Sequence, residues 1–167
     1  MAGRHYTWNR GTDTLGSATD ARSKWVVFVG DLDPESTIIR TVVQIQCQNM
    51  LTPTFITYPL LPLVWGLFVG EVAPEDVPGP LDDPTNKGWL WWERLFWGYE
   101  AHQIAPSFST NFAPSNRDGN RDIHSERKGI PEVDQFIYIV SQGQGAVSAA
   151  HYLSVGWQQL MLVPDAP

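Results

Sequence analysis

A single cysteine, Cys47, stands in the whole chain, so no disulfide can form within it and no cysteine-based zinc site can be built. It falls on the apolar face of a regular strand pattern and reads as a small buried hydrophobe, not a reactive thiol. Histidine is equally sparse. His5, His102, His124 and His151 stand in unrelated contexts, and none has a His or carboxylate at metal-ligand spacing on a well-defined element. Charged residues make up only 17% of the chain, and the net charge of -7 argues against a surface devoted to phosphate backbones. The 11 basic residues are scattered, with Arg22/Lys24 and Arg127/Lys128 as the only short pairs, so there is no basic arm. The opening MAGRHYTWNRG carries no apolar core of a secretory signal. Leu60 to Val69, the longest apolar run, is broken by Pro62 and Gly66 and is too short to span a bilayer. These absences lead to the expectation of a protein made in a cytoplasm that stays soluble or assembles there, without cofactor, metal or membrane.

What the chain does have is β pattern and aromatic side chains. At 167 residues it is long enough for one domain with a real core. Ser36 to Gln48, STIIRTVVQIQCQ, places Ile39, Thr41, Val43, Ile45 and Cys47 on one face and Arg40, Gln44, Gln46 and Gln48 on the other, with Ile38 and Val42 as apolar exceptions. That is a long half-buried strand, and it needs a sheet around it and a second layer over it. Eight Trp residues in a chain of low charge suggest that some apolar surface meets another protein.

In chain order, residues 1–23 are polar and read as an N-terminal extended arm carrying Tyr6 and Trp8, ahead of a single β-sandwich domain over 24–167. Lys24 to Gly30 is a short apolar strand, and Asp31 to Glu35 makes a turn that Pro34 enforces. Pro53, Pro59 and Pro62 rule out a helix in the next stretch. Leu63 to Val72 is a strand with Gly66 and Gly70 as positions for a bulge or a close approach. Ala73 to Gly88 is a long proline-rich acidic loop. Trp89 to Glu100 reads as a strand with Trp89, Trp91 and Trp97 on one side and Trp92 on the other, although helical spacing also gives an apolar stripe. Ala105 to Gly129 reads as a second long loop, Val133 to Ser141 as a strand, Gln142 to Gly145 as a turn, and His151 to Val163 as the closing strands. The fold expected is all-β, a jelly-roll-type β-sandwich with long loops, with an α+β fold containing a Trp-rich helix as the alternative.

No pattern for catalysis emerges. Asp118, Asn120 and Asp122 match the first three ligand positions of a calcium loop, but Ile123 and Gly129 stand where that loop needs its Gly and its Glu, so a turn is the better reading. Asp31 and Asp33 sit in a tight turn without a nucleotide fold around them. The Trp cluster is the one feature able to hold a small ligand, since flat rings stack on sugars. Packing or an interface uses the same residues, and four Trp this close favour packing. Tyr6, Trp8, Trp89, Trp91, Trp92 and Trp97 are therefore the candidates for an assembly interface or aromatic platform. Two groups of cations are candidates for limited nucleic-acid contact: Arg4, Arg10, Arg22 and Lys24, and Arg117, Arg121, Arg127 and Lys128.

The order of several short segments resembles a group of small virion structural proteins from environmental bacteriophages. These are Thr37-Ile38-Ile39-Arg40-Thr41, Gly66 to Val69, the acidic loop, Trp89-Leu90-Trp91, the stretch from Asp122 to Lys128 and Gly156-Trp157 through Leu160 before Pro164. The dense Trp stretch and Gly129-Ile130-Pro131 depart from that pattern. The resemblance implies a structural, non-enzymatic role in a virus particle: a self-assembling capsid subunit in a homo-oligomeric shell, with a decoration or tail component as the alternative. The Trp cluster, apart from the resemblance, leaves a carbohydrate-binding sandwich as a third reading. Copies of itself, and other virion proteins, are the partners the resemblance implies.

Overall fold

The computed structural model describes residues 3–17, 24–49, 61–97, 120–143 and 151–166. Strands β1 (Arg4–Ser17), β2 (Lys24–Leu32), β3 (Thr37–Asn49), β4 (Leu61–Gly70), β5 (Trp89–Trp97), β6 (Asn120–Ile123), β7 (Arg127–Lys128), β8 (Gln135–Gly143) and β9 (His151–Pro164) form two sheets. One has the order β1-β9-β3-β6, with β7 beside β3 further along, and the other the order β2-β8-β4-β5. Every pairing is antiparallel. β1 pairs with β9, β2 with β8, β3 with β6 and β7, and β4 with β5, so the chain is a set of nested hairpin pairs rolled into two layers. That arrangement is a jelly roll. The helix considered for the Trp-rich stretch is absent: residues 89–97 are strand, as their aromatic content favours.

The space between the layers is filled by Val27, Val29, Ile38, Val43, Trp65, Leu67, Ile137, Ile139 and Val155, all buried. β4 and β8 are buried on both faces because a second cluster lies on the outer side of their sheet. There Phe68, Tyr138 and Val140 are covered by Val77 and flanked by Val72, Trp89 and Phe136. Val77 comes from the acidic stretch between β4 and β5, which folds back over its own sheet. The Tyr138 hydroxyl donates to the Val72 carbonyl at 2.7 Å, Leu81 N–H donates to Gln142 Oε1 at 3.0 Å, and Lys24 Nζ donates to the Val77 carbonyl. These bonds replace the water that a free loop would keep at the Val72, Val77 and Leu81 backbone groups and at Gln142.

Bulges explain where simple alternation fails. In β3 the register shifts between Ile38 and Arg40, so Ile38 is fully buried, Ile39 is the extra residue, and Thr41 and Val43 continue the inner face. Ile39, expected in the core with Val43, is thus only half-buried. In β5 the extra residue is Leu90, next to the Leu67/Phe68 step of β4. Leu90 and Trp91 both pack on the inner core while Trp89 packs on the outer cluster, so Trp89 and Trp91 do not share a face as a period of two requires.

The boundary expected at residue 24 also needs correction. Arg4–Ser17 is extended, but it is the edge strand of the first sheet, paired along its length with β9. Its pattern is inverted: Thr7, Asn9 and Gly11 are half-buried, whereas Tyr6 and Trp8 are 65% and 45% exposed. A strand that buries small and polar residues and exposes aromatics reads as an arm.

The second long loop expected over Ala105 to Gly129 contains β6 and β7, whose Asn, Arg and Asp residues have low strand preference and are held by pairing with β3. Gly129 follows β7 because a Cβ there would lie 2.0 Å from the Asp33 carbonyl oxygen, in the turn between β2 and β3. Its N–H donates to the Ser36 carbonyl at 2.9 Å.

Candidate assembly surface

The outer face of the β1-β9-β3-β6 sheet is built by strand register. Tyr6 lies beside Leu162, Trp8 beside Leu160, and Arg10 beside Gln158. On the far side of β9, Arg40 neighbours Leu160 and Val42 neighbours Gln158. Alternation points all of these away from the core, because their chain neighbours Thr41, Val43, Gln159 and Met161 are buried. The Arg10 guanidinium lies 5.3 Å from the centroid of the Trp8 ring, which gives this face an oriented cation on an aromatic base. Next to it, around the side-chain-free Gly156, is a shallow depression of about 430 Å³ lined by Arg10, Thr12, Val42, Gln44 and Gln158.

Further across the sheet, Arg40 binds Asp122 with both ends of its fork, Nε to Oδ1 at 2.7 Å and Nη2 to Oδ2 at 2.5 Å. His124 Nε2 lies 3.2 Å from Asp122 Oδ1. The Arg40 hydrogen bond holds the Asp122 carboxyl below its ordinary pKa, and Asp122 in turn raises Arg40. Asn120 and Asp122, two members of the calcium-loop lookalike, are therefore strand residues, and Asp122 spends its carboxylate on an arginine. Asp118 lies outside the described residues.

The two ends of the sandwich are closed by polar contacts. Asn9 Nδ2 donates to the Val29 carbonyl at 3.0 Å, tying β1 to β2. At the other end Glu93 accepts from Trp65 Nε1 at 3.1 Å and pairs with Arg121 at 2.6 Å, tying β4 and β5 to β6.

The Trp candidates do not come together as one platform. Trp91 packs edge-on to the buried Trp65, with centroids 5.0 Å apart, and Trp89 packs on Phe68 at 4.9 Å. Trp89 and Trp92 donate their indole N–H groups to the Asp83 and Pro84 carbonyls of the acidic stretch. The Trp97 side chain lies outside the described residues. Tyr6 and Trp8 stand apart from all of these, on the outer face of β1.

The cation candidates separate as well. Arg4 and Arg10 are exposed on β1, Lys24 is bonded to the Glu75 and Val77 carbonyls, Arg121 is paired with Glu93, and Arg127 Nη2 donates to the Lys87 carbonyl at 2.7 Å. Lys128 is exposed on β7. Arg22 and Arg117 lie outside the described residues. Among the described residues, no group of three His, Cys, Asp or Glu side chains is placed to hold a metal ion. No helix among them is long and apolar enough to cross a membrane.

Sequence reasoning missed Leu160 and Leu162 as members of the exposed face, although their alternation with Gln159 and Met161 is visible once β9 is known to be one strand. It also missed the Arg40 to Asp122 pair, for which no spacing signal exists across 82 residues.

No protein-family model matches the chain, and no curated protein matches it. Among solved structures the chain is similar to a chain of the acidic stable capsid structure of Helicobacter pylori bacteriophage KHP30, with 8% identity, 99% of this chain and 95% of that one covered, and a TM-score of 0.45. It is similar to a chain of the cyanophage Pam1 capsid asymmetric unit at 11% identity, 97% and 87% coverage and a TM-score of 0.45. For turnip yellow mosaic virus the values are 11% identity, 99% and 98% coverage and 0.41. Likenesses this loose do not transfer function.

Proposed function

We propose that this chain is a virion structural protein, a capsid subunit of a bacteriophage that assembles with copies of itself. The observation that carries the reading is the outer face of β1, where Tyr6, Trp8 and Arg10 are displayed to solvent on a jelly roll whose interior is already filled. Aromatic residues and Arg are the types enriched at the buried centres of protein interfaces, and a strand that turns them outward while burying Thr7, Asn9 and Gly11 needs a neighbour to cover them.

Other users of the jelly roll fit less well. A ligand-holding barrel needs room between its sheets, and that space holds Trp65, Leu67, Ile137 and Ile139. A glycan platform needs exposed, coplanar rings, and Trp89 and Trp91 are turned into different layers. The role is structural and requires no catalysis. In the second cation group Arg121 and Arg127 are committed within the subunit, so contact with packaged nucleic acid is at most local, and the protein resides in the virion after synthesis in the host cytoplasm. A decoration or tail component shares the same surface logic and differs in its need for another virion protein.

The test is assembly of the purified chain. Light scattering and electron microscopy at rising concentration should show closed particles or regular oligomers. A folded monomer at every concentration and ionic strength would exclude a self-assembling coat and leave the decoration or tail role.

A further inference from the structure

We infer that the outer face of β1 receives the Glu75/Asp76 turn of a second copy of this chain, so that subunits join head to tail. This deepens the capsid reading and rests on it. Residues 71–88 hold five acidic side chains and one lysine, more than half of the chain's formal -7. That stretch covers the outer side of the β2-β8-β4-β5 sheet, whereas Arg4 and Arg10 stand on β1 of the other sheet, in step with Tyr6 and Trp8. The subunit therefore carries negative charge on one layer and a cationic, aromatic strip on the opposite one.

Both halves of the contact are built before binding. Pro74–Asp76 forms a 3-10 turn, closed by Asp76 N–H to the Ala73 carbonyl at 3.0 Å and anchored by the fully buried Val77. Lys24 Nζ donates to the carbonyls of Glu75 and Val77, which fixes the backbone and leaves the two carboxylates exposed. On the receiving side, Arg10 is held over Trp8. A guanidinium so placed can accept a carboxylate in its fork while Tyr6 and Trp8 lie against the proline-containing turn. Preorganisation on both sides lowers the ordering cost of association.

Charge also sets the geometry. A two-fold contact of β1 face on β1 face would set the cationic strip of Arg4 and Arg10 against its own copy, which like charges oppose. Joining the cationic strip of one subunit to the acidic turn of the next is a heterologous contact, the type that closes into rings or continues into a shell.

The experiment compares the full chain with Arg10→Glu, with Glu75→Lys/Asp76→Lys, and with all three changes combined, by sedimentation and electron microscopy. Near-ultraviolet circular dichroism confirms that each is folded, and Arg10→Gln with Glu75→Gln/Asp76→Asn serves if a charge reversal disturbs folding. The expected result is that each reversal alone weakens association by about tenfold or more, the combined variant recovers it, and salt weakens the wild type. Arg10→Glu assembling as the wild type does would overturn the contact and leave the capsid reading standing. Both reversals blocking assembly without recovery in the combined variant would overturn the acidic turn as the occupant. A wild type that stays monomeric while folded would remove the capsid reading and this contact with it.

Discussion

The indole of Trp157 on β9 lies against the bare backbone of Gly11, its register partner on β1. A Cβ on residue 11 would sit 2.2 Å from the indole Cζ2, inside the ring's own volume. Trp157 also packs on the inner core, so this cross-strand pair is what lets a mostly polar edge strand bury anything large. Gly11→Ala should therefore push the ring off the core and cost about 1–3 kcal/mol, the usual price of overpacking. Chemical denaturation of the variant would check it, and an unchanged midpoint would mean that Trp157 has room to move.

Gly11 also shows where reading the sequence stops. The apolar runs of β2, β4 and β8 and the alternation of β3 and β9 are legible because burial repeats with the pleat. β1 was hidden because its inward positions are Thr7, Asn9 and Gly11, which carry no hydrophobic signal. β6 and β7 were hidden because pairing with β3, not their own composition, makes them strands. The bulges at Ile39 and Leu90 moved faces by one residue, and a period of two cannot register such a shift. Within the candidate surface, Tyr6, Trp8 and Arg10 were visible as residue types, while their common face required the strand.

Glu132 is the one non-glycine residue with positive φ among those described, at 62°. It follows Pro131, and Val133 N–H donates to the Ile130 carbonyl at 3.3 Å, the closure of a turn whose third position favours glycine. A side chain in that region costs about 1–2 kcal/mol, partly offset by the extra freedom glycine brings to the unfolded chain. Glu132→Gly should leave stability unchanged or raise it by up to about 1 kcal/mol. A clear loss in thermal midpoint would show that the Glu132 side chain makes a stabilising contact that outweighs its strain.

Tyr138 is 1% exposed, and its hydroxyl donates to the Val72 carbonyl. Burial raises its pKa above the ordinary phenol value, with Glu75 and Asp31 adding repulsion. Because the folded pKa exceeds the unfolded one, the contribution is complete below about pH 10 and is lost as pH rises through the folded value. Tyr138→Phe should cost about 1 kcal/mol at neutral pH through the lost hydrogen bond. The gap to the wild type should narrow with increasing alkalinity, as denaturant midpoints from neutral to alkaline pH would record. A constant gap would mean that the phenol does not ionise differently in the two states.

Trp91 and Trp92 are adjacent in sequence and serve as a test of packing against glycan recognition. Trp91 sets its edge on the buried Trp65 and joins the inner core, whereas Trp92 turns outward and donates to the Pro84 carbonyl. If packing is their role, Trp91→Ala should lose about 3 kcal/mol, near the lower end for removal of a large aromatic because the side chain is only partly buried. Trp92→Ala should lose less, about 1 kcal/mol for one hydrogen bond together with a smaller area. Neither change should alter tryptophan fluorescence in response to oligosaccharides, because the wild type should show no response to alter. A glycan platform requires the opposite ordering: the outward Trp92 would govern a fluorescence shift, and its replacement would abolish binding with little effect on the fold. Measuring both stability and oligosaccharide response in both variants separates the two roles. A saturable response in the wild type that Trp92→Ala removes would put the carbohydrate-binding reading ahead of packing for this cluster.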